Sequence, residues 1–323
     1  MRAALRIFVV TLAALASVAT ATAQPYPSRP VKIIVPYPPG GTNDILARIM
    51  GERLQKAMGQ TFLIENRSGA GGVIGADAGA KAAPDGYTLL LSSSAPLAVG
   101  LGLYQKVPYD VVRDFSPVAM IADATITVVS YPGFKPQNIN EVVAYAKANP
   151  GELKVALNSL GSMHHLLTEM FRLRTNTKIN MIPYKGTGPA VVDLLAGHVD
   201  MDFENLPAVI QHIRGGRLRA LAVGSAQRSE LLPEVPTLKE LGLTDLVAAP
   251  WFALVAPAGT PREIIVRLNA EVNKILSLPE TKELLAKQGA DPILRTPEET
   301  TAFIHQEVDK WARIVKESGA KLQ

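Results

Sequence analysis

Twice along this chain, short apolar runs of strand length alternate with amphipathic runs of helix length. That alternation restricts the fold more than any single motif does. From residue 31 to about 123, VKIIVPY, TFLIENR and YTLLLSS read as strands. Between them lie the helical runs DILARIMGERLQKAMG, closed by Gly59, and the shorter alanine-rich VIGADAGAKAAPDG. After residue 136 the pattern resumes, with LKVALNS, KINMIPY, VDMDFEN and LRALAVGSA as strands among four further helices. Buried-type strands separated by such helices predict parallel sheets with helices on both faces, so the fold class is α/β.

The two units are joined by the strand-rich stretch SPVAMIADATITVVSYPG. The last part differs: APWFALVAPAG reads as one strand and is followed almost entirely by helices, which must pack onto a sheet already built. Thr260-Pro261 and Thr296-Pro297 read as starts of two of them. If 249–255 returns beside 118–130, the chain crosses twice between two lobes, and the cleft between them is the natural ligand site. The expected division is 24–123 as the first part of lobe 1, 124–248 as lobe 2, and 249–323 as a return to lobe 1. A length of 323 residues suits roughly two domains.

Residues 1–23 read separately, as a secretory signal peptide. Arg2 and Arg6 precede the apolar run IFVVTLAALASVA, which ends in Ala21-Thr22-Ala23, and its apolar core is too short for a membrane span. Without Arg2 and Arg6 the formal net charge falls from +4 to +2, which makes nucleic acid an unfavoured partner. The chain has no cysteine, so disulfides, thiolate metal sites and a cysteine-linked lipid are excluded. An exported, cysteine-free chain of this size suits a bacterial periplasm.

Candidate binding residues cluster where strands end and helices begin. A helix start leaves free N–H donors and the positive end of a dipole, which together attract anions. In VPYPPGGTND, Tyr37, Pro39, Gly40, Gly41, Thr42 and Asn43 sit at such a junction. The glycines either admit a ligand to the backbone or simply make a tight turn, with Asn43 or Asp44 as the cap. The second unit has its counterpart in NSLGSMHHL, with Asn158, Gly161, Ser162 and His165; Ser162 is at least an N-cap. Ser92, Ser93 and Ser94 end another strand, and Tyr184, Lys185, Gly186 and Thr187 lie in PYKGTGPA. Glu204 and Asn205 either face the cleft or cap the helix beginning at Leu206. Tyr37, Tyr184 and Trp251 either line a pocket or pack beside strand ends. In open α/β sheets, ligands bind at the carboxyl ends of strands.

Several apparent motifs fail on spacing. SGAGGVIG resembles a dinucleotide fingerprint, but Ile74 stands at the third glycine position. GTGPA lacks the lysine of a phosphate loop. His165 and Glu169 share a helical face, yet two ligands do not make a metal site, and no H-E-x-x-H occurs. His164 is expected to face solvent or the lobe surface. No G-x-S-x-G elbow marks a nucleophile. No cofactor, metal or catalysis is therefore expected.

The ordered set YPSRPVKIIVPYPPGG, ENRSGAGGVIGA, APDGYTLLL, VPYD, RDFSPVA, YKGTGPAVVDLLAGHVD, NLPA and APAGTP resembles the Bug/TctC family, from about residue 25 to the C-terminus. These are extracytoplasmic solute receptors of tripartite tricarboxylate transporters. The resemblance implies a two-lobed, type II-like periplasmic binding protein, a "Venus flytrap", that holds small carboxylates and works with membrane permease subunits, most simply as a monomer. The family's turn matches at Pro39, Gly40, Gly41 and Asp44. Its second-lobe motif matches at Gly161, Ser162, His165 and Leu166, and its Pro-Tyr-Lys-Gly at Pro183 to Gly186. Leu157 and Leu160 depart from the usual small residues, and Glu204 from the usual aspartate; the leucines would narrow the pocket or make it apolar. A sensor-kinase receptor and a periplasmic enzyme on the same fold are the alternatives.

Overall fold

The structure is a computed structural model that describes residues 26–102 and 106–318. The signal-peptide reading of 1–23 lies outside the described residues. No described helix is long and apolar enough to cross a membrane.

Strand β1 (Val31–Val35) forms at a β-branched run and is covered on both faces, as its VKIIV composition requires. It pairs in parallel with β2 (Phe62–Asn66) and β3 (Thr88–Ser93). Helix α1 (Thr42–Met58) turns Leu46, Ala47, Met50 and Leu54 onto this sheet and ends where Gly59, at φ +72°, donates its N–H to Gln55 O. Past α2 (Val73–Ala80), the short α3 (Ser94–Leu97) and α4 (Val111–Asp114), strand β4 (Phe115–Ala124) completes the outward run. Only Thr125 separates it from β5 (Ile126–Ser130), which belongs to the second sheet.

In that second sheet α5 (Ile139–Ala148), β6 (Lys154–Leu157), α6 (Met163–Thr175), β7 (Asn180–Pro183), α7 (Thr187–Leu195), β8 (Met201–Asn205), α8 (Leu206–Arg214) and β9 (Arg219–Val223) follow in turn. The chain then returns, and β10 (Trp251–Pro257) lies antiparallel between β4 and β3, with Trp251 opposite Asp123. With β11 (Ala290–Pro292) at one edge, the strand orders are β11-β4-β10-β3-β1-β2 and β7-β6-β8-β5-β9. Helix α9 (Arg262–Ser277) packs Leu268, Val272 and Leu276 onto the first sheet, and its Asn269 amide ties Val118 O to Arg295 O at 2.8 Å each. Then come α10 (Pro279–Ala286), the edge strand β11 (Ala290–Pro292) and α11 (Pro297–Ser318).

Three expectations change. The sheets are mixed rather than parallel: β5 and β10 run against their neighbours, because each enters its sheet directly from the other one. Thr260 is not the cap of α9. Pro261 occupies that position, and the Thr260 hydroxyl donates instead to Pro257 O at 2.8 Å. Strand β11 is not predicted by the sequence, since three residues ending in proline carry no periodic signal; an edge is where proline is tolerated. Thr296, by contrast, does open α11, in a reciprocal cap with Glu299.

Candidate functional site

The strand ends of both sheets face each other across one narrow cavity. Tyr37, Gly41, Thr42, Asn43, Ser93, Ser94 and Ala95 line it from the first sheet; Asn158, Ser159, Ser162, Met163, His164, Gly186, Thr187 and Asn205 line it from the second, with Pro250 at the return crossing. Space open to the centres of water molecules amounts to about 30 Å³.

The first wall is built by a tight glycine turn. Gly40 adopts φ +88°, which glycine tolerates without cost, and Gly41 then serves as N-cap of α1 without a side chain to offer. Asp44, in the first turn, supplies what the cap residue lacks. Its carboxylate accepts from Gly40 N (3.1 Å), Arg48 Nε (2.9 Å) and Asn66 Nδ2 (3.0 Å), while Asn66 also donates to Tyr37 O. Burial alone would raise the Asp44 pKa, but these hydrogen bonds outweigh it and hold the carboxyl below its usual value. The first intrahelical bond runs from Ile45 N to Gly41 O, so the preceding N–H groups of Thr42 and Asn43 have no acceptor within the helix.

The second wall repeats the device with different chemistry. Gly161 adopts φ +75°, Ser162 is the N-cap of α6 and accepts from His165 N, and the His165 ring reaches back so that Nδ1 accepts from Gly161 N at 3.3 Å. His165 thus stands to Gly161 as Asp44 stands to Gly40. Burial lowers the His165 pKa against the pull of Glu169, in keeping with a ring nitrogen that accepts.

Of the sequence candidates, Tyr37, Gly41, Thr42, Asn43, Ser93, Ser94, Asn158, Ser162, Gly186, Thr187 and Asn205 lie on the cavity wall. Pro39, Gly40, Ser92, Gly161, His165, Tyr184, Lys185 and Glu204 do not. Ser92 points the other way from Ser93 along β3, Tyr184 turns its hydroxyl onto Asp193 at 2.7 Å, and Lys185 is exposed. Glu204 is fully buried behind the wall; it accepts from Asn158 Nδ2 at 3.0 Å and from Asn205 N at 2.7 Å. Asn205 is the N-cap residue of α8 but makes no side-chain cap, so its amide is left for the cavity side.

His164 is a correction. The sequence predicts an outward ring, yet His164 is only 8% exposed, lines the cavity, and sets Nε2 3.2 Å from Asn205 Oδ1 and 3.7 Å from Glu204 Oε1. Because His165 is drawn back as the capping partner of Gly161, the neighbouring ring takes the inward direction. Leu157 and Leu160 also miss the cavity: Leu157 is buried in β6, while Leu160 is 44% exposed. Ser159, Met163, Ala95 and Pro250 carried no distinguishing signal in the sequence.

Electrostatically the cavity is unusual in containing no lysine or arginine among its described lining residues. It offers helix starts instead, from α1, α6 and α7, together with buried side-chain atoms that lack any hydrogen-bond partner: Thr42 Oγ1, Asn43 Oδ1, Ser94 Oγ and His164 Nδ1. Asn43 Oδ1 can only accept, and His164 Nδ1 accepts when Nε2 donates to Asn205 Oδ1, so the donors here are the Thr42 and Ser94 hydroxyls and the helix-start N–H groups, which suit a small anion.

Residues 46–320 match the family model described as the tripartite tricarboxylate transporter family receptor. The chain belongs to that family, the Bug/TctC receptors. It is 52% identical to "Protein BugT" of Bordetella pertussis over 322 residues, covering 99% of this chain and 98% of that protein. Among solved structures it resembles the periplasmic binding protein BugD (TM-score 0.88, 33% identity, 92% of this chain and 100% of that one). An R. palustris protein solved with adipate gives TM-score 0.88 at 36% identity over 92% and 100% of the two chains. MatC from Rhodopseudomonas palustris, with bound malate, gives 0.84 at 30% over 90% and 100%. The fold is therefore that of Bug/TctC periplasmic binding proteins, as the ordered motifs implied.

Proposed function

We propose that this Bug/TctC receptor works in the periplasm, captures a small carboxylate between its lobes by closing about the crossings at Thr125 and Ala249-Pro250, and delivers it to a membrane permease of a tripartite tricarboxylate transporter. The observation that carries this reading is the convergence of α1, α6 and α7 starts from two lobes on a cavity that the buried, unpartnered Thr42 and Ser94 hydroxyls also line. A carboxylate accepts from such neutral donors without the desolvation cost of a buried lysine or arginine. Contacts from both lobes favour the closed state over the open one, and that difference is what drives closure. The adipate and malate of two solved relatives are of the same chemical class.

The test is a thermal-shift screen of residues 24–323 against dicarboxylates, tricarboxylates, acidic amino acids and aromatic acids, each beside its amide. A ligand that binds only the folded state raises the melting temperature. Stabilisation by an acid and not by its amide supports the reading; equal response to both refutes it.

A further inference from the structure

Met163 lines two cavities at once. On one face of it lies the narrow cavity at the helix starts; on the other lies an apolar cavity with about 520 Å³ open to water centres, against about 30 Å³ in the first. The larger one is bounded by α6 from the second lobe, by the returning segment 247–251, and by α11 and residues 293–295 from the first. Its surface is mainly Leu166, Met170, Ala248, Trp251, Phe303 and Trp311. The charged groups at its edge are mostly occupied. Glu307 accepts from both indole N–H groups, Trp251 at 3.1 Å and Trp311 at 3.0 Å, and pairs with Lys310 at 2.8 Å. Asp123 is pushed toward its neutral form by burial and by the nearby Asp291. Arg295 lies over the Phe303 ring at 4.0 Å and has no ion pair among the described residues.

We propose that the apolar cavity is a second subsite, which takes the aliphatic or aromatic body of a ligand whose carboxylate sits at the helix starts, with Met163 as the movable partition between them. The inference rests on the carboxylate reading above. The small cavity holds little more than an acid group. An unbranched thioether chain has three rotatable bonds and swings aside more cheaply than any other apolar residue of its size. Because Leu157 and Leu160 lie elsewhere, an apolar ligand preference, if present, comes from this cavity and not from the leucines.

The chain holds two tryptophans, and both line the apolar cavity, so intrinsic emission reports on it directly. The experiment titrates residues 24–323 with octanoate, octanamide and acetate while following that emission. Octanoate is expected to shift it saturably, octanamide at least tenfold more weakly, and acetate not at all. Ala248→Phe and, as an independent filling of the same space, Met170→Phe are each expected to weaken octanoate at least tenfold. Emission unmoved by octanoate, while short acids still raise the melting temperature, overturns the subsite and leaves the receptor reading standing. Equal responses to octanoate and octanamide also overturn it, since the cavity would then bind apolar chains without the acid anchor.

Discussion

Gly41 of the first lobe stands directly against Thr187 of the second: a Cβ built on Gly41 would lie 3.2 Å from the Thr187 Cβ. Nearby, a Cβ on Gly188 would meet the backbone oxygen of Pro39 at 2.7 Å, and one on Gly186 would collide with the Pro38 ring. The glycines of PPGG and KGTG therefore let two turns from opposite lobes close on one another. In the open, unliganded state that the proposed closure requires, this contact is released, so Gly188→Ala is expected to leave the unliganded melting temperature unchanged or slightly raised, because alanine favours a helix. It is also expected to weaken the carboxylate found in the thermal screen at least tenfold, about 1.4 kcal/mol, by calorimetric titration. Gly41→Ala should act in the same direction. Unchanged affinity in both would show that this contact plays no part in closure.

The Asp44–Gly40 cap predicts acid sensitivity. The folded-state pKa of Asp44 lies below its unfolded value, so its contribution is complete above the ordinary carboxylate range and is lost as pH falls through the folded value. Asp44→Asn, which removes a charged acceptor from three donors, should cost about 2 kcal/mol at pH 7. The difference between the proteins should shrink below about pH 3.8. Denaturant melts at pH 7 and pH 3 test both parts.

Asp202 carries the opposite sign. It is fully buried in β8 with no side-chain hydrogen-bond partner, and burial together with the adjacent Glu204 outweighs a backbone hydrogen bond at Phe203 and raises its pKa well above the usual value. Its folded pKa exceeds the unfolded one, so stability declines as pH rises above about 4 and continues to fall until the folded value is passed. Asp202→Asn should raise the melting temperature at pH 7 by about 2–4 °C or more, with little gain near pH 4. A lower melting temperature at both values would overturn this account.

His164 and His165 should separate cleanly. His164→Ala removes a cavity atom and the partner of Asn205, and is expected to weaken carboxylate binding at least fivefold. In His165→Gln the glutamine can reach back to Gly161 N, one residue beyond the N-cap N–H that it meets in a capping box, so folding and affinity should both change less than twofold. Paired titrations decide it, and the reverse order would return His165 to the site.

Much of this protein could be read in one dimension. The 2.0 and 3.6 periodicities located the strands and helices, Ser162 announced its helix, and Gly-Gly before Thr-Asn-Asp marked a helix start, which lies on the cavity wall. The ordered motifs implied the family. These are local signals, fixed by backbone sterics and by hydrogen bonds within a few residues. Which histidine faces inward was not legible, because the direction of His164 depends on the reach of its neighbour to Gly161 and on Asn205, 41 residues away. The antiparallel course of β5 and β10 depends on which sheet each strand enters from. The closeness of Gly41 to Thr187, and the apolar cavity shared through Met163, arise only when two lobes meet. Periodicity records which side of an element is buried; what it is buried against is decided by packing between segments far apart in the chain.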